Sequence, residues 1–182
     1  MKSLRALLAA VFGAGAAVAE QPKPPTKSPA EMMRELRLEW LTKVPATAPG
    51  ESKSEITAVV MDWPIEQATV TVLASSVGDG SIYTTGTFGI FGGIGHENVR
   101  MAAIAFVDCA RKHGALAAAT TDYSYPDREH VRFFFVTAGG VRSISFTLSE
   151  VQKPGTDAYD LYSHGQAVIT ELRQITQKQR GY

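Results

Sequence analysis

A glycine-rich turn and the histidine after it are the residues whose types and spacing most resemble a chemical site. Gly92, Gly93 and Gly95 lie at a predicted passage from strand to helix, and His96 opens that helix. Such a turn exposes backbone N–H groups at the positive end of the helix dipole, where anions bind. Arg100, one turn into the helix, adds a charged donor. The segment is therefore a candidate site for anion binding or acid–base chemistry.

The glycines are equally compatible with a structural role, because glycine lets a backbone turn tightly beneath a sheet. Their spacing matches neither the GxGxxG pattern of dinucleotide sites nor the GxxxxGK[ST] phosphate loop. The sequence also lacks the GxSxG motif that marks the nucleophile of many serine hydrolases. The sequence therefore contains no motif that names a reaction.

A second candidate surface lies in the long connection that precedes the last pair of predicted strands. Asp122, Tyr123 and Tyr125 fall in this polar and aromatic stretch, and connections of such length tend to be functional or disordered. Exposed tyrosines supply rigid amphipathic area for a partner. They can instead fold back as anchors of the loop, and both interpretations stay open.

Metal ligands and thiols show no recognised pattern. The four histidines match no HExxH or paired-histidine spacing, and a single cysteine cannot form CxxC. We therefore predict no metal and no cofactor, although a site assembled from distant residues stays open. Cys109 excludes an internal disulfide and is expected to pack as a small hydrophobe on a helix. A reactive or intermolecularly paired thiol is the alternative.

The N-terminus has the pattern of an export signal. Lys2 and Arg5 precede an uncharged apolar run that ends at Ala19 in an Ala-x-Ala motif. We expect residues 1–19 to be removed as a signal peptide, residues 20–28 to form a Pro-rich spacer, and the protein to be periplasmic or secreted. The apolar run is too short to span a bilayer, and we expect no transmembrane span after cleavage.

The charge balance restricts the class of partner. The 182 residues carry 18 basic and 18 acidic groups. Losing the two basic residues of the signal leaves a net charge near −2. Such a chain has no bulk attraction to nucleic acid or anionic lipid. We expect the partner to be another envelope protein or a small anionic ligand, and not nucleic acid.

A hairpin over Val131–Leu148 is predicted to be the centre of the fold that positions these residues. Its loop is taken as Gly139-Gly140, a pair that tolerates positive φ. In this register Phe135 lies opposite Ile144, Phe133 opposite Phe146 and Val131 opposite Leu148. Because a slip of one residue would bury the intervening polar side chains, the register is strongly specified.

An amphipathic helix is predicted before the first strand, within residues 29–54. Ser28 and Glu31 form a capping box around Pro29. The apolar stripe consists of Met33, Leu36, Trp40 and Val44, and Pro45 ends the helix. The charged residues Arg34, Glu35, Arg37 and Glu39 are expected mostly away from this stripe. The stripe fits packing on the domain and docking to a partner equally well.

The remaining elements belong to residues 55–178, predicted as a single α+β domain, with 179–182 as a tail. Strands are predicted over Ile56–Met61, Ala68–Ser76 and Ser81–Ile90, with a turn at Asp62-Trp63-Pro64. One helix begins near His96 and buries Val99, Ala102, Ala103, Phe106, Cys109 and Ala110; another runs from Asp157 to about Gln177.

The resulting order, βββ-α-ββ-α, predicts an antiparallel sheet of about five strands with helices packed on it. By fold analogy alone this order resembles the profilin, longin and roadblock class of small domains, which host unrelated functions.

The patterns favour an exported interaction domain without catalytic activity. Its contact surface is predicted from Gly89–Arg100 and Thr120–Glu129. The alternative is a small enzyme or anion-binding protein that uses the Gly92–Gly95 turn with His96 at the helix N-terminus.

Overall fold

The fold is a seven-stranded antiparallel sheet with three helices, as seen in a computed structural model that describes residues 27–43, 52–86 and 88–179. The predicted signal peptide, the spacer before residue 27, the helix end at Val44 and Pro45, and residues 180–182 of the predicted tail lie outside these ranges. The predicted α+β class is confirmed, with seven strands instead of about five.

The helices are α1 (Pro29–Thr42), α2 (Glu97–His113) and α3 (Asp157–Gln179). The strands are β1 (Ile56–Ile65), β2 (Ala68–Ser75), β3 (Gly80–Thr84), β4 (Gly89–Ile90), β5 (Ala118–Thr120), β6 (His130–Thr137) and β7 (Gly140–Thr147), and they lie in the order β4-β3-β2-β1-β6-β7-β5. Short 3₁₀ turns, Gly93–Gly95 and Gly114–Leu116, flank α2.

The predicted strand Ser81–Ile90 is wrong, because this stretch folds back on itself as β3 and β4. The Thr84 hydroxyl donates to the carbonyl of Phe88 (2.8 Å) and accepts from the Phe88 amide (3.2 Å), which closes the turn. The other missed strand, β5, lies in the connection after α2 and pairs with β7. Three residues are too few for a period-2 pattern to be recognised.

The predicted turn at Asp62-Trp63-Pro64 is also wrong, since β1 continues to Ile65. Pairing of β1 with β6 ends at Asp62, and beyond that point β1 pairs with β2 alone. Pro64 therefore lies where one side of the strand has no ladder, and its missing N–H breaks no hydrogen bond there.

The central hairpin exists, but its predicted register is wrong by two residues. Phe133 faces Ile144, Val131 faces Phe146 and Phe135 faces Arg142. The loop is Ala138-Gly139, because Gly140 already pairs with Thr137. Since the error is even, each side chain stays on its predicted face of the sheet.

Both faces of the sheet are buried at its centre. Phe133, Phe134 and Phe135 are consecutive in β6, and each is fully buried. Neighbouring strand residues point to opposite faces, so three buried neighbours require a cover on each side. Helices α2 and α3 cover one face with residues such as Phe106, Leu161 and Leu172. Helix α1 covers the other through Met33 and Leu41.

Helix α1 begins as predicted and packs on the sheet. The Ser28 hydroxyl accepts from the Glu31 amide, and the Glu31 carboxylate accepts from the Ser28 amide, which completes the capping box. The expectation that Arg37 lies away from the apolar stripe is wrong, because Arg37 is among the largest fully buried side chains. Helical spacing places it between Met33 and Leu41 on the face toward the sheet.

Arg37 is buried because it meets a carboxylate on the sheet. Its Nε lies 3.1 and 3.0 Å from the two Asp62 carboxylate oxygens, and its Nη2 also donates to Asp62. Asp62 accepts from the Thr71 hydroxyl at 2.6 Å, and Arg37 Nη1 donates to the Tyr123 carbonyl at 2.8 Å. Burial raises the pKa of Asp62, and the bonds from Arg37 and Thr71 oppose that rise.

Replacing Arg37 by methionine is expected to lower the free energy of unfolding by about 3–5 kcal/mol, since it leaves the Asp62 carboxylate buried without a cation. Adding Asp62→Asn removes that charge and should restore much of the loss. Urea denaturation measures both effects. Lys27→Met serves as the control, because the Lys27–Glu35 pair is exposed and should contribute little. If Arg37→Met alone lowers the free energy of unfolding no more than Lys27→Met does, the Arg37–Asp62 ion pair does not hold α1 on the sheet.

Candidate functional site

The glycine turn has a local structural cause. Gly92 has φ +78°, a left-handed conformation that favours glycine. Gly93 is buried, and a Cβ there would lie 2.4 Å from Val99 Cγ1 and 2.6 Å from the Gly80 carbonyl oxygen. Gly95 has open space where its Cβ would be. Two of the three predicted glycines are therefore required by backbone conformation and close packing.

His96 and Arg100 stand beside this turn, but neither is arranged around a ligand. His96 is exposed and is the N-cap of α2, and its side chain makes no capping hydrogen bond. Arg100 donates through Nε and Nη2 to the same Glu97 oxygen, at 3.1 and 2.6 Å. Arg100, the predicted charged donor to an anion, is thus paired with the Glu97 carboxylate of its own helix.

An open cleft of about 410 Å³ lies between the start of α2 and the end of α3. His96 lines it together with Glu97 and Glu171, and the lining includes neither lysine nor arginine. Asp122 is not part of this lining. Two carboxylates and no cation make the cleft unfavourable for an anion.

The same segment exposes three large apolar side chains, which we call the apolar ridge. Phe88, Phe91 and Ile94 are 47%, 49% and 49% exposed. The ring of Phe91 lies 5.3 Å from that of Tyr83, which fixes it against the sheet. Phe88 precedes β4, the strand at the edge of the sheet, and Phe91 and Ile94 follow it.

The long loop before β6 lies on the α1 face of the sheet. The Tyr123 ring packs edge-on against Phe134 at 6.3 Å, and the Arg37 guanidinium lies 4.2 Å from the centre of the Tyr125 ring. Both tyrosines are half-buried. The sequence left open whether the tyrosines contact a partner or anchor the loop, and these contacts fit the second interpretation.

Asp122 is exposed and holds the loop by hydrogen bonds. It accepts from the Ser124 amide and from Arg132 Nη1, each at 2.9 Å. The bond from the Ser124 backbone, followed by those from the side chains of Ser124 and Arg132, lowers the pKa of Asp122 to about 2. Asp122 is therefore a carboxylate at neutral pH and a poor proton donor.

The glycine turn and the tyrosines pack on opposite faces of the sheet. Gly93 packs against Val99 and Leu172, on the face covered by α2 and α3, beside the end of the sheet formed by β4. Tyr123 packs on Phe134 of β6, on the face covered by α1. Phe91, just before the turn, nevertheless packs on Tyr83, which belongs to the same α1-side cluster as Phe134.

Another group of reactive side chains joins the last turns of α2 to the first turn of α3. We call Cys109, His113 and Asp160 the Cys–His–Asp cluster. Their Sγ, imidazole nitrogen and carboxylate oxygen all lie within 4.8 Å of one another. Asp160 Oδ2 is 3.4 Å from Cys109 Sγ and 2.9 Å from His113 Nε2. These three atoms are the part of the described chain best suited to hold a metal ion.

The Cys–His–Asp cluster does not have the arrangement of a thiol nucleophile. Burial, together with the Asp160 carboxylate, raises the pKa of Cys109 to about 12. The hydrogen bond from His113 goes to Asp160 and lowers the pKa of that carboxyl group. Because a nucleophilic thiol needs a base that takes its proton, this arrangement keeps Cys109 protonated.

Sequence reasoning missed the cluster because it looked for paired histidines and zinc motifs. The available signal was the spacing of four residues between Cys109 and His113, which places both on one helical face. Asp157, Asp160 and His164 carry similar spacings in the next helix. What the sequence does not show is that α2 and α3 pack with these ends together.

Comparison with family models, curated proteins and solved structures finds no match to the chain. In the part of the chain that the structure describes, no helix is both long enough and apolar enough to cross a membrane.

Gly93→Ala is expected to destabilise the protein by about 1–3 kcal/mol, because the added methyl group overlaps Val99 and the Gly80 backbone. Gly95→Ala is the matched control and should change the free energy of unfolding by less than about 0.5 kcal/mol, since its Cβ meets open space. Thermal or urea denaturation distinguishes the two. Equal losses in both variants would mean that the turn is not packed as described.

Proposed function

We propose that the chain is a non-enzymatic interaction domain that binds an apolar segment of another protein through the apolar ridge. The observation that carries the proposal is the exposure of about half of Phe88, Phe91 and Ile94 within seven residues. Contiguous apolar patches are uncommon on monomeric proteins and mark interaction sites, and we propose that these three side chains, close together in the chain, form one.

The chemistry of the surrounding segment specifies the class of partner. From Gly80 to His96 the sequence contains no aspartate, glutamate, lysine or arginine. An apolar partner loses no charge solvation against this segment, whereas a charged partner would find no counter-ion within it. Aromatic side chains are enriched at the centres of interfaces, which suits Phe88 and Phe91.

The ridge is also held in place before a partner arrives. Phe91 rests on Tyr83, and Gly92 and Gly93 fix the path of the backbone just after it. A pre-organised contact surface loses less conformational entropy on binding than a mobile one. The glycine turn thus contributes to binding by presenting Phe91 and Ile94.

The alternative of an anion-binding or enzymatic site at Gly92–Gly95 has weaker support. Arg100 is paired with Glu97, and the cleft beside His96 holds the Glu97 and Glu171 carboxylates. General acid–base work needs a proton-transfer partner positioned against a substrate, and these contacts do not arrange one around His96.

Export to the periplasm or the medium is part of the proposal and rests on the N-terminal pattern. The basic start, the apolar run and the Ala-x-Ala motif at Ala19 support cleavage there. N-terminal sequencing of the protein expressed in a bacterial host should begin at Glu20. Recovery of an uncleaved N-terminus from the cytoplasm would contradict export.

A random peptide library selected on the immobilised chain tests the interaction surface. We expect the recovered peptides to be rich in apolar side chains. Their affinity should fall at least tenfold for the double variant Phe91→Ser, Ile94→Ser, which removes two members of the ridge. Both side chains are half-exposed, so circular dichroism should show an unchanged fold.

Leu116→Ser is the matched control, because Leu116 is similarly exposed (48%) but follows the other end of α2. Binding should be unchanged in this variant. Selected peptides that are mainly acidic and lose affinity for Arg100→Gln would support the anion-binding alternative instead. Apolar peptides that bind the double variant as well as the unmodified chain would contradict the proposed surface.

A further inference from the structure

The Cys–His–Asp cluster has a ligand chemistry that the proposed interaction surface does not use. It combines a thiol sulfur, an imidazole nitrogen and a carboxylate oxygen, the three kinds of ligand that Zn²⁺ takes in proteins. Cys109 and His113 lie one turn apart on α2, and Asp160 approaches from α3. The site is therefore built from two helices whose packing holds the ligands in place.

Two of the three distances between ligand atoms are close to those around a coordinated ion, and the third, from the Cys109 sulfur to the His113 nitrogen, is at most 4.8 Å. With metal–ligand bonds of about 2.0–2.3 Å, tetrahedral ligand atoms lie roughly 3.3–3.7 Å apart. The sulfur and the Asp160 oxygen are already 3.4 Å apart, and the His113 nitrogen is 2.9 Å from the same oxygen. Separating the second pair by about half an ångström would bring both into this range.

The Asp157 carboxylate lies behind the His113 imidazole, and this arrangement is typical of a metal-binding histidine. His113 Nδ1 lies 3.3 Å from Asp157 Oδ1, while Nε2 faces the cluster. Metal-binding histidines characteristically donate the other ring N–H to a carboxylate, which fixes the tautomer and orients the ring. Asp157 and His113 have this arrangement.

The Cys–His–Asp cluster is accessible to an ion from solvent and is supported by the packed helices. Cys109 is almost fully buried, whereas the Asp160 side chain is 45% exposed, so an ion can reach the cluster from the side of Asp160. His164 Nδ1 donates to the Asp160 carbonyl oxygen at 2.8 Å, within the same helix. One face of the cluster opens to water, and the other is held by the helix packing.

We propose that Cys109, His113 and Asp160 bind a zinc-class divalent cation, with Asp157 as the positioning residue behind His113 and water in the fourth position. Binding releases the thiol proton of Cys109 to solvent, because the thiolate is the metal ligand, and it displaces the Nε2 proton that His113 donates to Asp160, so that the ring keeps its N–H on Nδ1 beside Asp157. The lone pair of His113 Nε2 and one Asp160 oxygen complete the protein ligands. The ion would join α2 to α3 at the end of the helices away from the apolar ridge.

Cobalt is a direct probe, because a thiolate bound to Co²⁺ gives a charge-transfer absorption in the near ultraviolet. The chain has one cysteine, so this band reports Cys109 alone. Full-length protein cleared of metal with a chelator should develop the band on titration with Co²⁺ and saturate at one equivalent. One equivalent of Zn²⁺ should then remove it.

The variants separate the ligands from the positioning residue. Cys109→Ser should abolish the band, and His113→Gln and Asp160→Asn should weaken Co²⁺ binding at least tenfold. Asp157→Asn should keep the band but weaken binding by about 10–100-fold, the usual effect of losing the carboxylate behind a metal-binding histidine. A purely structural Asp157 would leave the affinity unchanged.

His130→Gln is the matched control, because His130 also pairs with an aspartate (Asp127, 2.7 Å) but lies outside the cluster. It should bind Co²⁺ as the unmodified chain does. Circular dichroism of each variant confirms that the fold is intact, and His113→Gln gives the ligand test if Cys109→Ser does not fold. Failure of the natively folded, unmodified chain to give the band would overturn the proposal, as would full affinity in His113→Gln.

Discussion

A buried ion pair on a sheet that is covered on both faces is the constraint on which the rest of the structure depends. Phe133, Phe134 and Phe135 are all buried, so the sheet needs a second cover besides α2 and α3. Helix α1 supplies it, and Arg37 must then reach Asp62, because an unpaired charge in this layer would be strongly unfavourable. The pair specifies where α1 lies, and the tyrosine loop packs around the same guanidinium.

The proposed functions use the parts of the fold that this layering leaves exposed. At the β4 end of the sheet the glycine turn leads into α2 and presents the apolar ridge. At the opposite end of α2 its last turns meet α3 in the Cys–His–Asp cluster. A partner at the ridge and a cation at the cluster would therefore occupy opposite ends of one helix, and neither would need the core to rearrange.

The sequence predicts elements well where the pattern is local and less well where it depends on packing. The Ser28–Glu31 capping box is confirmed, because its hydrogen bonds join neighbours in the chain. Arg37 was misplaced because a charged residue on an amphipathic helix usually faces solvent, and Asp62 is 25 residues away. Phe134 carried an overlooked signal, since a third phenylalanine between two core-facing ones indicates a second buried face. The cluster depends on the contact between α2 and α3, which no local pattern specifies.

Native-state hydrogen exchange across α1 and the central strands tests the double-covered sheet most directly. If α1 is an integral layer, amides in its middle, such as that of Arg37, should exchange with the same free energy and urea dependence as that of Val60 in β1, because both require global unfolding. Exchange of the Arg37 amide through a much smaller opening, with Val60 still protected, would contradict the account and make α1 a detachable element.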